Sequence, residues 1–326
     1  MCDQDPFLLG PTFQWNDSQK HRADERFTRS SCHRHSELKL ANFEWNGKTR
    51  PGVVRDGFVF EIPSASSVQE ILDTGKLVQV ERETSNKSRG VELDRVRLRP
   101  PLVSPDKILL AAVNYRAHGT EQKAVPPEEP YFFTKFKSCI IGDGDPILIP
   151  RSSRKVDWEV ELAVVIGKKC KYVHRKDALE YVAGYAVAND VSYRDLQFSE
   201  MSGRKNNFGS NWVKGKALDS AYPLGPWLVT REEIGDPQHL SLSLTVNGIK
   251  RQESSTEDMV HPVAELIEYL SDGITLLPGD IISTGTPAGV AAFSGAPFLK
   301  NGDVVEATIG GIGSLINPVR AEDEPT

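Results

Sequence analysis

The chain has 326 residues, 39% of them hydrophobic and 26% charged, which is the mix of a folded protein and not of a disordered one. A formal net charge of −6 and the lack of a basic stripe with interleaved aromatics exclude nucleic-acid binding by bulk charge. No apolar run approaches the ~18 residues of a membrane span, and four cysteines without a Cys-x-x-Cys pair form no disulfide framework, so a reducing, cytoplasmic setting is expected.

Residues 1–38 mix basic side chains (Lys20, Arg22, Arg26) with acidic ones (Asp17, Asp24, Glu25) and show no periodicity. They read as a flexible extension. No apolar h-region follows a charged start, and the acidic content is unlike a transit peptide. The cluster Cys32-His33-Arg34-His35 could take up a metal ion, but in such a tail adventitious affinity is the commoner meaning.

Residues 39–103 read as a small N-terminal domain. Phe43 and Trp45, Val53-Val54 and Phe58-Val59-Phe60 are β-like runs broken by Asn-Gly and Asp-Gly turns. One short helix is expected over residues 65–80, then a polar stretch from Glu81 to Gly90 leading toward Pro100-Pro101 as a linker. Residues 104–322 are mostly short strands with Gly and Pro punctuation, including a hairpin at Asn247-Gly248. One helix stands out: Val263, Leu266, Ile267 and Leu270 recur at helical spacing behind Pro262, with Gly273 placed to end it. The fold class is α+β, mainly β, without the βαβ rhythm of a doubly wound sheet.

Two segments carry chemistry. In Val156-Asp157-Trp158-Glu159-Val160-Glu161-Leu162 a strand puts Asp157, Glu159 and Glu161 on one face, the glutamates roughly 6–7 Å apart. Such neighbours repel unless a proton or a cation lies between them. Taken alone, the pattern is more often the solvated face of an edge strand. The second segment, Ala183 to Gln197, is an apolar run that stops at Asn189-Asp190, with Arg194 and Gln197 four and seven residues beyond Asp190. A helical turn there gathers the three on one face.

These segments, with Asn114-Tyr115-Arg116-Ala117-His118-Gly119-Thr120-Glu121, Gly215-Lys216 and Thr284-Gly285-Thr286-Pro287-Ala288-Gly289, resemble the fumarylacetoacetate hydrolase superfamily from about Lys107 to Val319. The likeness is to its short-chain branch of acylpyruvate hydrolases, oxaloacetate decarboxylases and oxaloacetate tautomerases. The resemblance implies a mixed β-roll, a homodimer, and one divalent cation held by Glu159, Glu161 and Asp190. Three carboxylates without Cys or His suit a hard ion, Mg²⁺ or Mn²⁺, with Ca²⁺ also compatible. It further implies that Arg194, Gln197 and Thr286 bind the substrate, and that His118, Glu121 and Lys216 are catalytic.

The substrate implied is a small anionic 2-oxo or 2,4-dioxo carboxylate that reacts through a metal-stabilised enolate. C–C bond hydrolysis is the first expectation, with oxaloacetate tautomerisation or decarboxylation as alternatives. A metal-dependent dicarboxylate binder without turnover is the rival from another class, and the intact His118–Glu121 dyad counts against it. Gly119 and Thr120 are poor helix formers, so the dyad is expected on a mobile lid. Many relatives carry Gly where this chain has Ala112, a change that narrows the pocket or alters the approach of that lid. Phe198 to Ser210 is expected to border the substrate entrance, and Asp157 to stand behind the metal ligands.

Overall fold

The structure, a computed structural model, describes residues 38–322 apart from Asn86, Ser88 and 204–208. The extension, with its Cys32-His33-Arg34-His35 cluster, therefore lies outside the described residues save for Leu38. Strands β1 (Lys39–Trp45), β2 (Lys48–Arg55) and β3 (Phe58–Glu61) form a meander. Its turns are Asn46-Gly47 and Asp56-Gly57, all four residues at φ between 50° and 79°, the left-handed geometry that tight hairpins need. Two helices follow where one was expected, α1 (Val68–Asp73) and α2 (Leu77–Ser85). Gly75, at φ 64°, breaks the run, and the second helix takes up the start of the polar stretch that read as a linker.

Next come β4 (Ile108–Ala112), α3 (Arg116–Gln122), β5 (Tyr131–Thr134), β6 (Val160–Ile166) and β7 (Val182–Asn189). After them lie the one-turn helices α4 (Arg194–Gln197) and α5 (Trp212–Lys216), then β8 (Tyr222–Thr230), β9 (Ser241–Val246) and β10 (Ile249–Ser255). Helix α6 (Val263–Ser271), β11 (Ile281–Ser283), β12 (Val304–Ile309) and β13 (Gly313–Ala321) complete the chain. As the spacing predicts, α6 buries Val263, Leu266, Ile267 and Leu270.

The main sheet runs β3-β2-β1-β8-β7-β6-β11-β4-β5. It is mixed: β11 and β4 are parallel, the other neighbours antiparallel. The N-terminal meander is part of it, since Leu40 of β1 pairs with Leu228 of β8. A second sheet, β10-β9-β12-β13, carries the strand Ile147–Ile149 at its edge. Central strands β6 and β7 are buried along their whole length, so their apolar runs serve both faces. Among the described residues, no helix is long and apolar enough to cross a membrane.

Candidate active site

The strand expected over residues 156–167 is interrupted. Val156–Asp157 pairs elsewhere and β6 begins at Val160, because polar side chains take the intervening amides: Asp157 Oδ1 accepts from Trp158 N–H (2.9 Å) and Asn189 Oδ1 from Glu159 N–H (2.8 Å). The Asp190 amide donates in turn to the Glu159 carbonyl (2.8 Å). The start of β6 is thereby laced to the end of β7, and the carboxylates of Glu159, Glu161 and Asp190 converge with ligand atoms within 4.8 Å of one another. They are buried, at 5%, 1% and 0% exposure, so the acidic face is an interior feature and not the edge of a sheet.

Three cations surround them. Arg194 donates from Nε to Asp157 Oδ2 (2.8 Å), from Nη1 to Gln197 Oε1 (3.0 Å) and from Nη2 to Glu159 Oε1. Asp157 is itself fixed by the amides of Ala291 (2.7 Å) and Ala292 (3.0 Å), so it aims the guanidinium. Lys216 Nζ bridges Glu159 Oε2 (2.8 Å) and Asp190 Oδ2 (2.6 Å). Lys135 is fully enclosed and gives its protons to the carbonyls of Val191 (3.0 Å), Ala221 (2.8 Å) and Lys216. Its Nζ also stands 2.8 Å from Asp190 Oδ1, a fourth partner for an ammonium with three protons, so that buried oxygen is poorly served.

Charge alone does not satisfy the triad. The carboxylates of Asp157, Glu159, Glu161 and Asp190 face Lys135, Arg194 and Lys216, all buried, one negative charge in excess. Burial would raise Glu159, but Lys216 and Arg194 outweigh it and hold its carboxyl far below the usual range. Glu161 goes the other way: burial and then the charges of Asp190 and Glu159 push it well up. Burial also raises Asp190 in spite of Lys135 and Lys216. An oxygen of Asp190 that shares Lys135 with three carbonyls, a Glu161 disfavoured as an anion by its neighbours and an all-oxygen donor set fit a hard divalent cation. Such an ion turns the local excess to one positive charge, which favours an anionic ligand.

Helix α3 sets the dyad on one turn. His118 Nδ1 is 3.3 Å from Glu121 Oε2, and Nε2 meets the Gln122 amide. Glu121 also accepts the Gly289 amide on both oxygens (3.1 and 3.2 Å), so the same carboxylate fastens α3 to the turn that carries Thr286. Gly289 has φ 109°, and a Cβ there would lie 2.0 Å from the Arg251 carbonyl; only glycine presents that amide. Ahead of the dyad, Val113 sits at φ 54°, a strained conformation for a β-branched residue.

A cavity of about 250 Å³ lies between the dyad and the triad. His118, Gln197, Arg194, Lys216, Thr286, Glu159 and Glu161 line it, with Ala112 and Val113 at the wall. Asp190 and Glu121 do not line it but each touches a residue that does, Asp190 through Lys216 and Glu121 through His118. Phe198 and Ser210 also line it, so both ends of the stretch expected at the entrance reach the cavity. The sequence reading missed Lys135, which sits among aromatic residues with no local sign of its task. It missed Gln252, whose amide donates to Thr286 Oγ1 (2.8 Å). It also missed the wall of Tyr131, Phe133 and Trp212, in which the last two rings stack at 4.7 Å.

A mainly β domain of mixed sheets that buries a carboxylate triad beside a His–Glu pair has the build of a metal-binding enzyme. Residues 107–320 match the family model described as fumarylacetoacetate (FAA) hydrolase, C-terminal, and the chain belongs to that family. It is 43% identical over 271 residues to oxaloacetate tautomerase FAHD2A, mitochondrial, of Bos taurus, covering 82% of this chain and 84% of that one. The human protein of the same name is 46% identical over 220 residues, 67% of this chain and 68% of its own. The crystal structure of maleylpyruvate hydrolase from Sphingobium sp. SYK-6, in complex with manganese(II) and pyruvate, superimposes with a TM-score of 0.73 at 31% identity, covering 88% of this chain and all of that one.

These relatives correct one expectation. A cytoplasmic protein was expected from cysteine usage and the composition of residues 1–38, whereas the tautomerases it resembles are designated mitochondrial. Free, buried Cys139 and Cys170 are compatible with any reducing compartment and do not distinguish one from another.

Proposed function

We propose that the protein interconverts the keto and enol forms of oxaloacetate, with Mg²⁺ or Mn²⁺ held by Glu159, Glu161 and Asp190. The observation that carries this reading is a single acid–base pair, His118–Glu121, across one small cavity from the triad, in a chain whose relatives are named for that reaction. The bound cation would supply Lewis-acid stabilisation of charge on the substrate's 2-oxo oxygen.

The remaining work falls to side chains. His118 Nε2, turned to the cavity, takes a proton from C3, with the Gln122 amide moving aside. Glu121 Oε2 at Nδ1 stabilises the resulting imidazolium. Lys216 Nζ delivers a proton to the 2-oxo oxygen on the enol side, and the proton taken up by His118 passes back to Lys216 through solvent before the next turnover; the reverse reaction runs the same transfers backwards. Arg194, Gln197 and Thr286 hold the carboxylate, Arg194 being aimed by Asp157. Hydrolysis of an acylpyruvate remains a second reading, favoured by the likeness to maleylpyruvate hydrolase; there the dyad would activate water. The mitochondrion is the proposed compartment, and a homodimer the proposed assembly.

Proton NMR with Mg²⁺ separates the readings. Faster keto–enol exchange of oxaloacetate without net loss is the expected result. Pyruvate above the metal-only blank would mean decarboxylation, and acetate plus pyruvate from acetylpyruvate would mean hydrolysis; either in place of exchange overturns the proposal.

A further inference from the structure

The dyad helix has no catalytic use unless its position is fixed, and one residue outside the cavity touches the chain at both of its ends. His261, just ahead of α6 and 5% exposed, holds the entry through its backbone. Its amide donates to Asn114 Oδ1 (2.8 Å), and its carbonyl accepts from Asn114 Nδ2 (3.0 Å). The Asn114 carbonyl also takes the Val260 amide (2.8 Å), and Asn114 Nδ2 a second acceptor in the Thr284 carbonyl (2.8 Å).

The exit is held by the His261 ring. Nε2 lies 3.0 Å from the Pro127 carbonyl, an acceptor only, so Nε2 is the donor. Nδ1 faces Glu265 Oε1 at 2.9 Å, and Glu265 is anchored on its other oxygen by Arg175 (2.9 Å). The ring therefore cannot swing without breaking a chain of three groups. Pro127 transmits this hold to the helix, because Pro126 and the Ala124 carbonyl pack directly over Gly119, where a Cβ would find them at 3.2 and 3.0 Å. The Ala124 amide bonds the Gly119 carbonyl (2.8 Å).

We infer that His261 is a positioning residue for the His118–Glu121 dyad, clamping residues 115–126 at both ends so that His118 meets the cavity in one orientation. Its backbone half survives any substitution; its side-chain half does not. The role in turnover rests on the proton-transfer function proposed for the dyad, whereas the mechanical role does not.

The test uses the full chain with Mg²⁺ and three variants. Leu removes the donor, Gln places an amide nitrogen near the Nε2 position, and Asn imitates only Nδ1. Amide exchange across 115–127 should quicken in His261→Leu and His261→Asn and return toward wild type in His261→Gln. With oxaloacetate as substrate, kcat should fall on the order of tenfold in the first two, the scale expected of a misaligned proton-transfer group. KM and oxalate binding should stay within about twofold, because the triad is untouched. Exchange in His261→Leu as slow as in wild type overturns the clamp whatever the activity. A kcat loss matched by an equal loss of oxalate binding, or one that Gln restores no better than Asn, also overturns it. If the wild-type chain turns over no oxaloacetate, the proposed function fails, while the exchange data still decide the clamp.

Discussion

Of the three clustered carboxylates, Glu161 is the one that the protein itself leaves without a cationic partner, so Glu161→Gln should stabilise the metal-free chain. The side chain accepts one amide, from Gly285 at 3.2 Å, and no lysine or arginine touches it among the described residues, while the carboxylates of Glu159 and Asp190 approach within 4.8 Å. At that distance and an effective dielectric constant of about 20, one pair of unit charges repels by about 3.5 kcal/mol. Lys216 and Lys135 offset part of this through Glu159 and Asp190. A net gain of about 1–3 kcal/mol remains for the neutral isostere, or roughly 2–6 °C in Tm. A carboxyl raised in the folded state holds its proton more tightly there. Stability of the wild type without metal therefore falls as pH climbs from the ordinary value of 4.5 through the raised one, and the full penalty is present above it. Thermal unfolding in chelator at about pH 5.5 and about pH 8.5 should show that fall in wild type and a smaller one in Glu161→Gln. Added Mg²⁺ or Mn²⁺ should then raise the wild-type Tm and barely move the variant. A variant less stable than wild type in chelator at the higher pH would refute the reasoning.

Lys135→Met should destabilise the fold by about 3–5 kcal/mol, since it strands Asp190 and the Val191, Ala221 and Lys216 carbonyls; a denaturant midpoint within error of wild type would contradict the geometry. His118→Ala should cut turnover by about 10²–10⁴-fold while oxalate binding persists; equal loss of both would make His118 a binding group. Gly289→Ala must shift the Arg251 carbonyl that its Cβ would meet at 2.0 Å, and with it the amide that fastens Glu121; kcat should drop by more than tenfold, and normal kinetics would show that the fastening is dispensable. Amide exchange across 114–130 decides between the mobile lid expected from Gly119 and Thr120 and the clamped helix: rates alike with and without oxalate and Mg²⁺ are expected of a segment held at both ends, and exchange that slows only when ligand binds would restore the lid.

What the sequence revealed and what it hid follow from range. Asn46-Gly47 and Asp56-Gly57 specify their turns through φ alone, and α6 announces itself by the spacing of Val263, Leu266, Ile267 and Leu270; both are local physics. The single helix expected over residues 65–80 is two, because Gly75 takes up a left-handed φ of 64°, which an isolated glycine in a helical pattern permits but does not dictate. The triad and the dyad were legible because each lies within short segments, Glu159 with Glu161 and His118 with Glu121, and because the motif resemblance ordered the segments. Lys135 and Gln252 were not, since their worth comes from partners far along the chain: Lys135 serves Asp190 and Ala221, and Gln252 reaches Val160 and Thr286. Asp157 was expected to stand behind the metal ligands, and the amides of Ala291 and Ala292 fix it there as the support of Arg194; those distant partners could not be read from its own segment.

The pairing of β1 with β8 has a consequence for biosynthesis. Leu40 finds its partner Leu228 only after nearly two hundred further residues have left the ribosome, roughly 10–40 s at ordinary rates of elongation. For that interval Lys39 and Leu40 at the start of β1 lack their partners, while residues 42–44 can already pair with Arg97–Arg99; a short open flank beside the apolar Leu40 and Val53 remains, the kind of edge that recruits stray strands. Nascent chains of this protein should therefore depend on holding chaperones until β8 emerges, and a truncation that stops short of Thr230 should precipitate although its first hairpins are intact.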